Sequence, residues 1–287
     1  MTHAPLSATS RRTVLVHTLS TGFALVVTPI AASALSTDET GLEAGEIAIP
    51  TAAGDIPGYR ALPAKPKGKL PVILVVHEIF GVHEHIKDVC RRLAKEGFYA
   101  IAPELFARQG DVSKLTDFKE IFSKVVSKVP DAQVLSDLDA AVAFAKKDPR
   151  ADTSKLSVTG FCWGGRIVWL YAAQQPALKA AVAWYGKIAS DKDELHPRAA
   201  ADVVSELKAP VLGLYGGKDT GIPLSTVEAQ TQALAASSNR AANASRIHVY
   251  ADAGHAFFAD YRPSYHAPSA QDGWQRLLDW LKSHHAK

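Results

Sequence analysis

The residues best suited to chemistry lie in the segment Gly160-Phe161-Cys162-Trp163-Gly164-Gly165. A cysteine between two glycines matches a nucleophile elbow, a tight strand-to-helix turn that presents one side chain above the edge of a sheet. Apolar residues on both sides predict a strand that ends near Phe161 and a helix that follows it. Taken alone, the segment also fits a buried structural cysteine, since free cysteine is among the most buried residue types.

A nucleophilic cysteine needs a base that takes its proton and a third group that orients the base. In folds built on such an elbow, an acid and then a histidine follow the nucleophile along the chain. The apolar run 211–215 leads through two glycines to Asp219, and the run 247–250 leads to a Gly-His loop that contains His255. Because both residues follow a predicted strand end in the required order, we predict Asp219 as the acid and His255 as the base for Cys162.

Other histidines and acids are weaker candidates for the base and the orienting acid. His248 falls within a strand-like run, where a role in the core or across strands is expected. Asp252 is expected to be a turn residue rather than the orienting acid. His83 and His85 are expected at the surface, in a loop or in a first helical turn.

The sequence predicts no metal site and no organic cofactor. Two cysteines, Cys90 and Cys162, are too few for a disulfide framework or a zinc site built on thiolates. The group of His77, Glu78, His83 and His85 does not have the helical H-E-x-x-H spacing of a zinc site.

Length and composition indicate an ordinary globular protein. The chain has 287 residues, of which 47% are hydrophobic and 21% charged. We expect a single domain over residues 46–285, since α/β domains reach about 250 residues. The formal net charge is +3, and no basic stripe indicates a nucleic-acid partner.

Residues 1–34 are predicted to be a targeting segment. Arg11 and Arg12 precede an apolar stretch, 14–32, which ends in the small residues Ala32-Ser33-Ala34. Polar residues interrupt this stretch, so we favour a cleaved twin-arginine signal over a membrane anchor. The export machinery would then be a partner, the mature chain would be periplasmic or secreted without stable membrane insertion, and residues 35–45 would form a flexible lead-in.

Strand and helix patterns alternate along the mature chain. An opening hairpin, 47–50 with 56–61, precedes the apolar run 72–76, which has the character of a strand covered on both faces. This alternation predicts an α/β fold, with a mostly parallel central sheet and helices on both faces. Further elements are predicted at 84–96, 99–102, 131–147, 155–161, 166–174, 180–184, 211–215, 225–236, 247–250 and 271–283.

Together these motifs resemble the dienelactone hydrolase (carboxymethylenebutenolidase) family, which has the α/β-hydrolase fold. The resemblance spans about residues 45–283 and rests on the segments 77–81, 106–109, 160–165 and 254–257 together with Asp219. It implies a small-molecule ester or lactone substrate, with Cys162 as nucleophile, His255 as base and Asp219 as orienting acid. By the same resemblance, Glu78 accepts the thiol proton and Arg108 holds a substrate carboxylate.

The remaining pocket residues are predicted from the elbow geometry and from one difference between this sequence and the family pattern. The backbone N–H groups of Trp163 and Ile79 are expected to form the oxyanion hole. Aromatic walls are expected from Trp163, Phe257, Phe258 and Tyr185, with Phe257 contacting substrate, whereas Trp169 and Trp184 are expected in the core.

This sequence differs from the family pattern at one position. The family has a second carboxylate-binding arginine, and the matching position in this chain is occupied by Ala259. Arg262 lies slightly further on, where it could reach the pocket or face solvent. A small ester, lactone or thioester other than a dienelactone therefore fits this pocket. The alternatives left open are a peptidase, a general carboxylesterase, and a non-catalytic or redox-sensing protein that uses Cys162.

Overall fold

The computed structural model describes residues 36–285, and eight strands in this range form one sheet. The strands are β1 Leu42–Ile49, β2 Ile56–Pro63, β3 Leu70–Val76, β4 Tyr99–Pro103, β5 Ala151–Phe161, β6 Leu178–Trp184, β7 Val211–Gly216 and β8 Arg246–Tyr250. Their order across the sheet is β1-β2-β4-β3-β5-β6-β7-β8. β2 pairs antiparallel with both of its neighbours, whereas β4, β3 and β5 to β8 run parallel.

Helices lie on both faces of this sheet. They are α1 Glu84–Lys95, α2 Phe118–Lys124, α3 Asp131–Lys146, α4 Trp163–Gln174, α5 Leu224–Ala236, α6 Arg240–Ala244 and α7 Ala267–His285, with short 3₁₀ turns at Val112–Lys114, Val126–Lys128 and Ala200–Glu206. Val89 of α1 and Leu277 of α7 belong to one hydrophobic core, and Leu138 of α3 and Val168 of α4 belong to the other. The predicted α/β-hydrolase fold is confirmed.

The parallel strands determine where functional groups can meet. Residues 72–76 of β3 are fully buried because helices cover the strand on both sides. The carboxyl ends of parallel strands meet at one edge of the sheet, which is the usual place for binding sites in this architecture. Glu78, Cys162, Asp219 and His255 each follow such a strand end.

The first strand begins earlier than the sequence pattern indicates. Leu42 pairs with Pro63, and the ladder continues to Ile49 paired with Ile56. The predicted lead-in 35–45 therefore overlaps β1 and is corrected to a shorter segment. Glutamates and a glycine in this stretch are weak strand formers, so backbone pairing with β2 decides the conformation.

The predicted signal segment, 1–34, lies outside the described residues, and its export function stays a prediction. Within residues 36–285, no helix combines the length and apolar character that a membrane crossing requires.

Glycines allow the elbow to approach its neighbouring strands closely. A Cβ atom on Gly164 would lie 2.4 Å from the carbonyl oxygen of Val76, and one on Gly165 would lie 2.5 Å from that of Trp184. These are backbone atoms of β3 and β6, which cannot move independently of the sheet. The start of α4 can therefore sit between these strands only with glycine at both positions.

This packing makes Gly165 a sensitive position. We expect Gly165→Ala to lower the free energy of unfolding by about 1–3 kcal/mol or more, because the new methyl group must displace backbone. Gly68→Ala is the control, since its Cβ would meet nothing within 4 Å, and its effect should stay within about 0.5 kcal/mol. Urea unfolding followed by circular dichroism would measure both variants. Equal stability of the two would contradict the close packing of the elbow.

Candidate active site

Cys162 lies in a strained turn between β5 and α4. Its backbone has φ 54° and ψ −114°, a combination that non-glycine residues rarely adopt. The N–H of Cys162 donates to the carbonyl of Trp184 at 3.0 Å, which ties the turn to the neighbouring strand. Cys162 is partly exposed, and both cysteines are free thiols. The strand-to-helix geometry is that of a nucleophile elbow.

The structure brings Cys162, His255 and Asp219 into one hydrogen-bonded chain. Nε2 of His255 lies 3.2 Å from Sγ of Cys162, and Nδ1 lies 2.7 Å from Oδ2 of Asp219. The other carboxylate oxygen of Asp219 accepts the backbone N–H of Gly221 at 2.8 Å, which fixes the carboxylate. The Asp219 side chain is fully buried, so solvent does not compete for its hydrogen bond to His255.

The electrostatics of this chain favour a charged imidazole. Burial alone would lower the pKa of His255, but the charge of Cys162 and the hydrogen bond that Nδ1–H of His255 donates to Asp219 outweigh it and raise the pKa to about 10. His255 is therefore protonated at neutral pH in the presence of a Cys162 thiolate. An imidazolium beside a sulfur is the arrangement that activates cysteine nucleophiles.

Glu78 is buried beside this chain but hydrogen-bonds elsewhere. Its Oε2 accepts from Tyr261 Oη at 2.9 Å and lies 3.5 Å from Nη2 of Arg262. Nε2 of His83 is 3.6 Å from the same oxygen. Burial would raise the pKa of Glu78, but Arg262 and His83 hold it below its ordinary value. Among the described residues, Oε1 of Glu78 has no hydrogen-bond partner.

Arg262 reaches the interior rather than solvent. Its side chain is 4% exposed, and its guanidinium carbon lies 4.7 Å from the centre of the Phe80 ring and 5.1 Å from that of Tyr261. The sequence left open whether Arg262 reaches the pocket or faces solvent, and the structure buries it. Ala259, at the position of the family's second arginine, is fully buried.

The predicted surface location of His83 and His85 is wrong. Both side chains are buried, and their rings stack 6.1 Å apart. His85 faces Asp260, with Nδ1 3.3 Å from Oδ1. A chain segment that follows His255 packs over the start of α1 and buries them, an arrangement that no local pattern indicates.

His77 is held by the backbone and cannot serve as a metal ligand in this arrangement. Its Nε2 accepts the N–H of Leu105 at 3.0 Å, so Nδ1 carries the proton and donates to the carbonyl of Glu78 at 2.6 Å. Asp252 is exposed in a turn and pairs with Lys218 at 2.8 Å, as expected for a residue that does not orient His255.

Arg108 forms a bidentate ion pair within the protein. Its Nη1 and Nη2 lie 2.7 and 2.9 Å from the two carboxylate oxygens of Asp137, and Nη2 also donates to Oγ1 of Thr51 at 2.7 Å. This geometry does not present the guanidinium fork to a substrate. The predicted carboxylate-binding role is therefore not supported here.

The two predicted oxyanion-hole groups lie on adjoining segments. Trp163 is the first residue of α4, where helical N–H groups have no partner within the helix. Ile79 follows β3, and the carbonyls of Val76 and His77 lie close to Gly164. Both N–H groups therefore belong to the edge of the sheet where Cys162 is presented.

The aromatic residues divide between pocket and core. Trp163 is partly exposed and stacks on His77, with ring centres 5.6 Å apart. Phe257 is fully buried and packs edge-on against Tyr185 at 5.3 Å, so its predicted substrate contact is replaced by a supporting position behind that ring. Trp184 and Trp169 are fully buried, as expected.

Tyr185, which the sequence predicted only as an aromatic wall of the pocket, has two further features of a functional residue. Its φ is 37°, its ring lies 5.2 Å from that of His255, and it is fully buried. Within the described part of the chain, its hydroxyl has no hydrogen-bond partner. Strained backbone and an unsatisfied buried hydroxyl are both uncommon outside functional sites. The sequence feature that could have indicated this role is the position of Tyr185 between a predicted strand end and Gly186.

Comparisons with known proteins identify the family of this chain. The family model described as "Dienelactone hydrolase family" matches residues 56–285. A Methylorubrum extorquens protein is 61% identical over 276 residues, covering 96% of this chain and 93% of its own length. An Escherichia coli K12 protein is 53% identical over 271 residues, covering 94% and 98%. Both carry the name "Putative carboxymethylenebutenolidase".

Solved structures share the fold of this chain. A Klebsiella pneumoniae protein described as a "Putative Dienelactone Hydrolase" has 55% identity and a TM-score of 0.80, and the match covers 84% of this chain and 98% of that one. The phosphotriesterase P91, described as dienelactone hydrolase-like, shares the fold with a TM-score of 0.70 at 21% identity, covering 85% and 99%. The family resemblance predicted from the sequence is confirmed: the chain belongs to the dienelactone hydrolase family.

Proposed function

We propose that this protein hydrolyses small esters or lactones by acyl transfer through Cys162. The observation that supports this proposal is the hydrogen-bonded chain of Cys162, His255 and Asp219 at a strained elbow. The relatives' name denotes action on a lactone, and membership of the family supports the same type of bond here. No cofactor enters the proposed reaction.

The proposed reaction has two steps. The Cys162 thiolate attacks the carbonyl carbon, and the resulting oxyanion accepts hydrogen bonds from the N–H groups of Trp163 and Ile79. The His255 imidazolium then donates its proton to the leaving oxygen, which breaks the ester bond and leaves a thioester. In the second step neutral His255 takes a proton from water, which attacks the thioester and releases the acid.

Glu78 is proposed to handle the thiol proton when Cys162 is not ionised. In the described arrangement its carboxylate is held by Tyr261 and Arg262, so it would have to leave these partners to reach the sulfur. Its unpartnered Oε1 is the oxygen available for such a transfer. His255 and Glu78 thus provide two separate acceptors for one proton.

Replacement of the nucleophile tests the proposal most simply. We expect Cys162→Ala to lower kcat for p-nitrophenyl acetate at least about 1,000-fold, because the covalent step is lost. Cys162→Ser should also be strongly impaired, since a hydroxyl is far less ionised than a thiol. Cys90→Ala, the chain's other cysteine, is the control and should retain turnover because Cys90 is buried in the core. Full activity of Cys162→Ala would refute the assignment.

Alkylation separates the enzyme from a redox-sensing or binding protein. We expect iodoacetamide at neutral pH to label Cys162 rapidly and to abolish ester hydrolysis in parallel, while Cys90 stays unlabelled. Peptide mass spectrometry and turnover measured on the same samples would check this. Rapid labelling of a protein that hydrolyses no ester would favour the redox-sensing alternative.

The raised pKa of His255 gives a pH-dependent prediction. Since its folded pKa is about 10, above an ordinary value of about 6.5, the ring should stay protonated through neutrality and lose its proton as pH rises toward 10. In Cys162→Ala the pKa should fall, because the negative neighbour is gone. NMR titration of labelled histidine would measure both. A ring in the unmodified protein that is already neutral at pH 7 would contradict the ion-pair description.

A further inference from the structure

We propose that His77 and Glu104 are positioning residues that aim the backbone N–H of Ile79 at the oxyanion. The proposal rests on the proposed acyl transfer and adds two residues to it. It is carried by hydrogen bonds at both ends of the loop 78–82, which follows β3 and contains Ile79. Both side chains act through this loop rather than by contact with the substrate.

His77 fixes the peptide unit that contains this N–H. Its Nδ1 donates to the carbonyl of Glu78 at 2.6 Å. The carbonyl of Glu78 and the N–H of Ile79 belong to one planar trans peptide, in which the two bonds point in opposite directions. A hydrogen bond that fixes the carbonyl therefore also fixes the direction of the N–H. It polarises the peptide as well, which strengthens the N–H as a donor.

The imidazole of His77 is itself held in one orientation and one tautomer. The side chain is fully buried, and its Nε2 accepts the N–H of Leu105 at 3.0 Å. Leu105 is also fully buried, so its N–H would be costly to leave without an acceptor. Since both ring nitrogens are occupied, neither is free to exchange a proton with a substrate. His77 therefore positions the donor and is not a catalytic residue.

Glu104 holds the other end of the loop. Its Oε2 accepts the N–H of Val82 at 2.7 Å, and its Oε1 accepts the N–H of Phe106 at 3.2 Å. Oε1 also lies 3.4 Å from Nε2 of His77, so the two anchors adjoin each other. The loop 78–82 is thus tied at its first and last residues to the segment 104–106, which follows β4.

The N–H of Ile79 is left for a ligand close to the nucleophile. Within residues 36–285, no backbone carbonyl accepts it, although Ile79 is only 7% exposed. A Cβ atom on Gly164 would lie 2.5 Å from the carbonyl oxygen of His77, so this loop begins against the start of α4, two residues after Cys162. A nearly buried N–H without a backbone partner at this place suits a developing oxyanion.

The ring of His77 also contacts the second proposed donor residue. Its face stacks on the indole of Trp163, with ring centres 5.6 Å apart and planes 17° apart. Phe106 packs edge-on against both rings, at 4.6 and 4.8 Å. One buried imidazole thus holds the Ile79 peptide by a hydrogen bond and supports Trp163 by stacking.

Two substitutions separate the two hydrogen bonds of His77. Asparagine places its amide nitrogen near Nδ1 and keeps the donor to Glu78, whereas glutamine places its oxygen near Nε2 and keeps only the acceptor for Leu105. We expect kcat for p-nitrophenyl acetate to fall about tenfold or more in His77→Gln, with KM unchanged within about twofold, and to fall less than about threefold in His77→Asn. Equal kcat in the two variants would overturn the inference.

A thionoester separates loss of oxyanion binding from loss of folded protein. p-Nitrophenyl thionoacetate carries sulfur in place of the carbonyl oxygen, and sulfur accepts hydrogen bonds only weakly. The ratio of kcat/KM for the oxygen ester over the thionoester does not depend on the folded fraction, and it should fall about tenfold in His77→Gln. Glu104→Ala changes a partly exposed side chain and frees Val82, so the ratio should fall about threefold there. An unchanged ratio in either variant would overturn the inference.

Ser245→Ala is the matched control. Ser245 is buried, its Oγ accepts the N–H of Val211 at 2.9 Å and donates to the carbonyl of Ala241 at 2.8 Å, and Val211 begins β7 at the edge of the sheet opposite Cys162. We expect this variant to unfold at lower urea concentration with an unchanged ratio of the two esters. A ratio that falls equally in Ser245→Ala would overturn the inference. Hydrolysis of neither ester by the unmodified protein would instead contradict the proposed function.

Discussion

The backbone conformation of Cys162 is the constraint on which the rest of the site depends. A non-glycine residue at φ 54° costs about 1–3 kcal/mol and persists only where surrounding structure enforces it. Here Gly164 and Gly165 let α4 approach the backbones of β3 and β6, and Trp184 accepts the N–H of Cys162. The same turn presents the thiol to His255 and begins a helix whose first N–H groups have no partner within the helix.

Charge pairing is the second organising principle. Buried charges are tolerated when each has a partner, and the site contains two adjacent paired groups. One is Cys162 with His255 and Asp219, and the other is Glu78 with Arg262 and Tyr261. The second group keeps a carboxylate ionised near the nucleophile while neutralising an arginine that would otherwise attract anions.

Local sequence signals were sufficient for residues that follow strand ends. Cys162, Asp219 and His255 each follow an apolar run, and a parallel sheet must bring such positions to one edge. The buried position of the Arg262 side chain was not predictable, because it depends on how a loop folds over α1. The ion pair of Arg108 was not predictable for a related reason: its partner Asp137 lies 29 residues away, on α3. Pairings between distant charged residues leave no periodic pattern in the sequence.

Acyl transfer through Cys162 requires that this cysteine carry the acyl group during turnover, so the decisive measurement is to trap that intermediate. The protein would be mixed with p-nitrophenyl acetate, quenched in acid within one turnover, digested and analysed by mass spectrometry. We expect one acetyl group on the peptide that contains Cys162, and we expect it to disappear as hydrolysis proceeds. Continued turnover with no acetylated cysteine, or with the acetyl group on another residue, would contradict it.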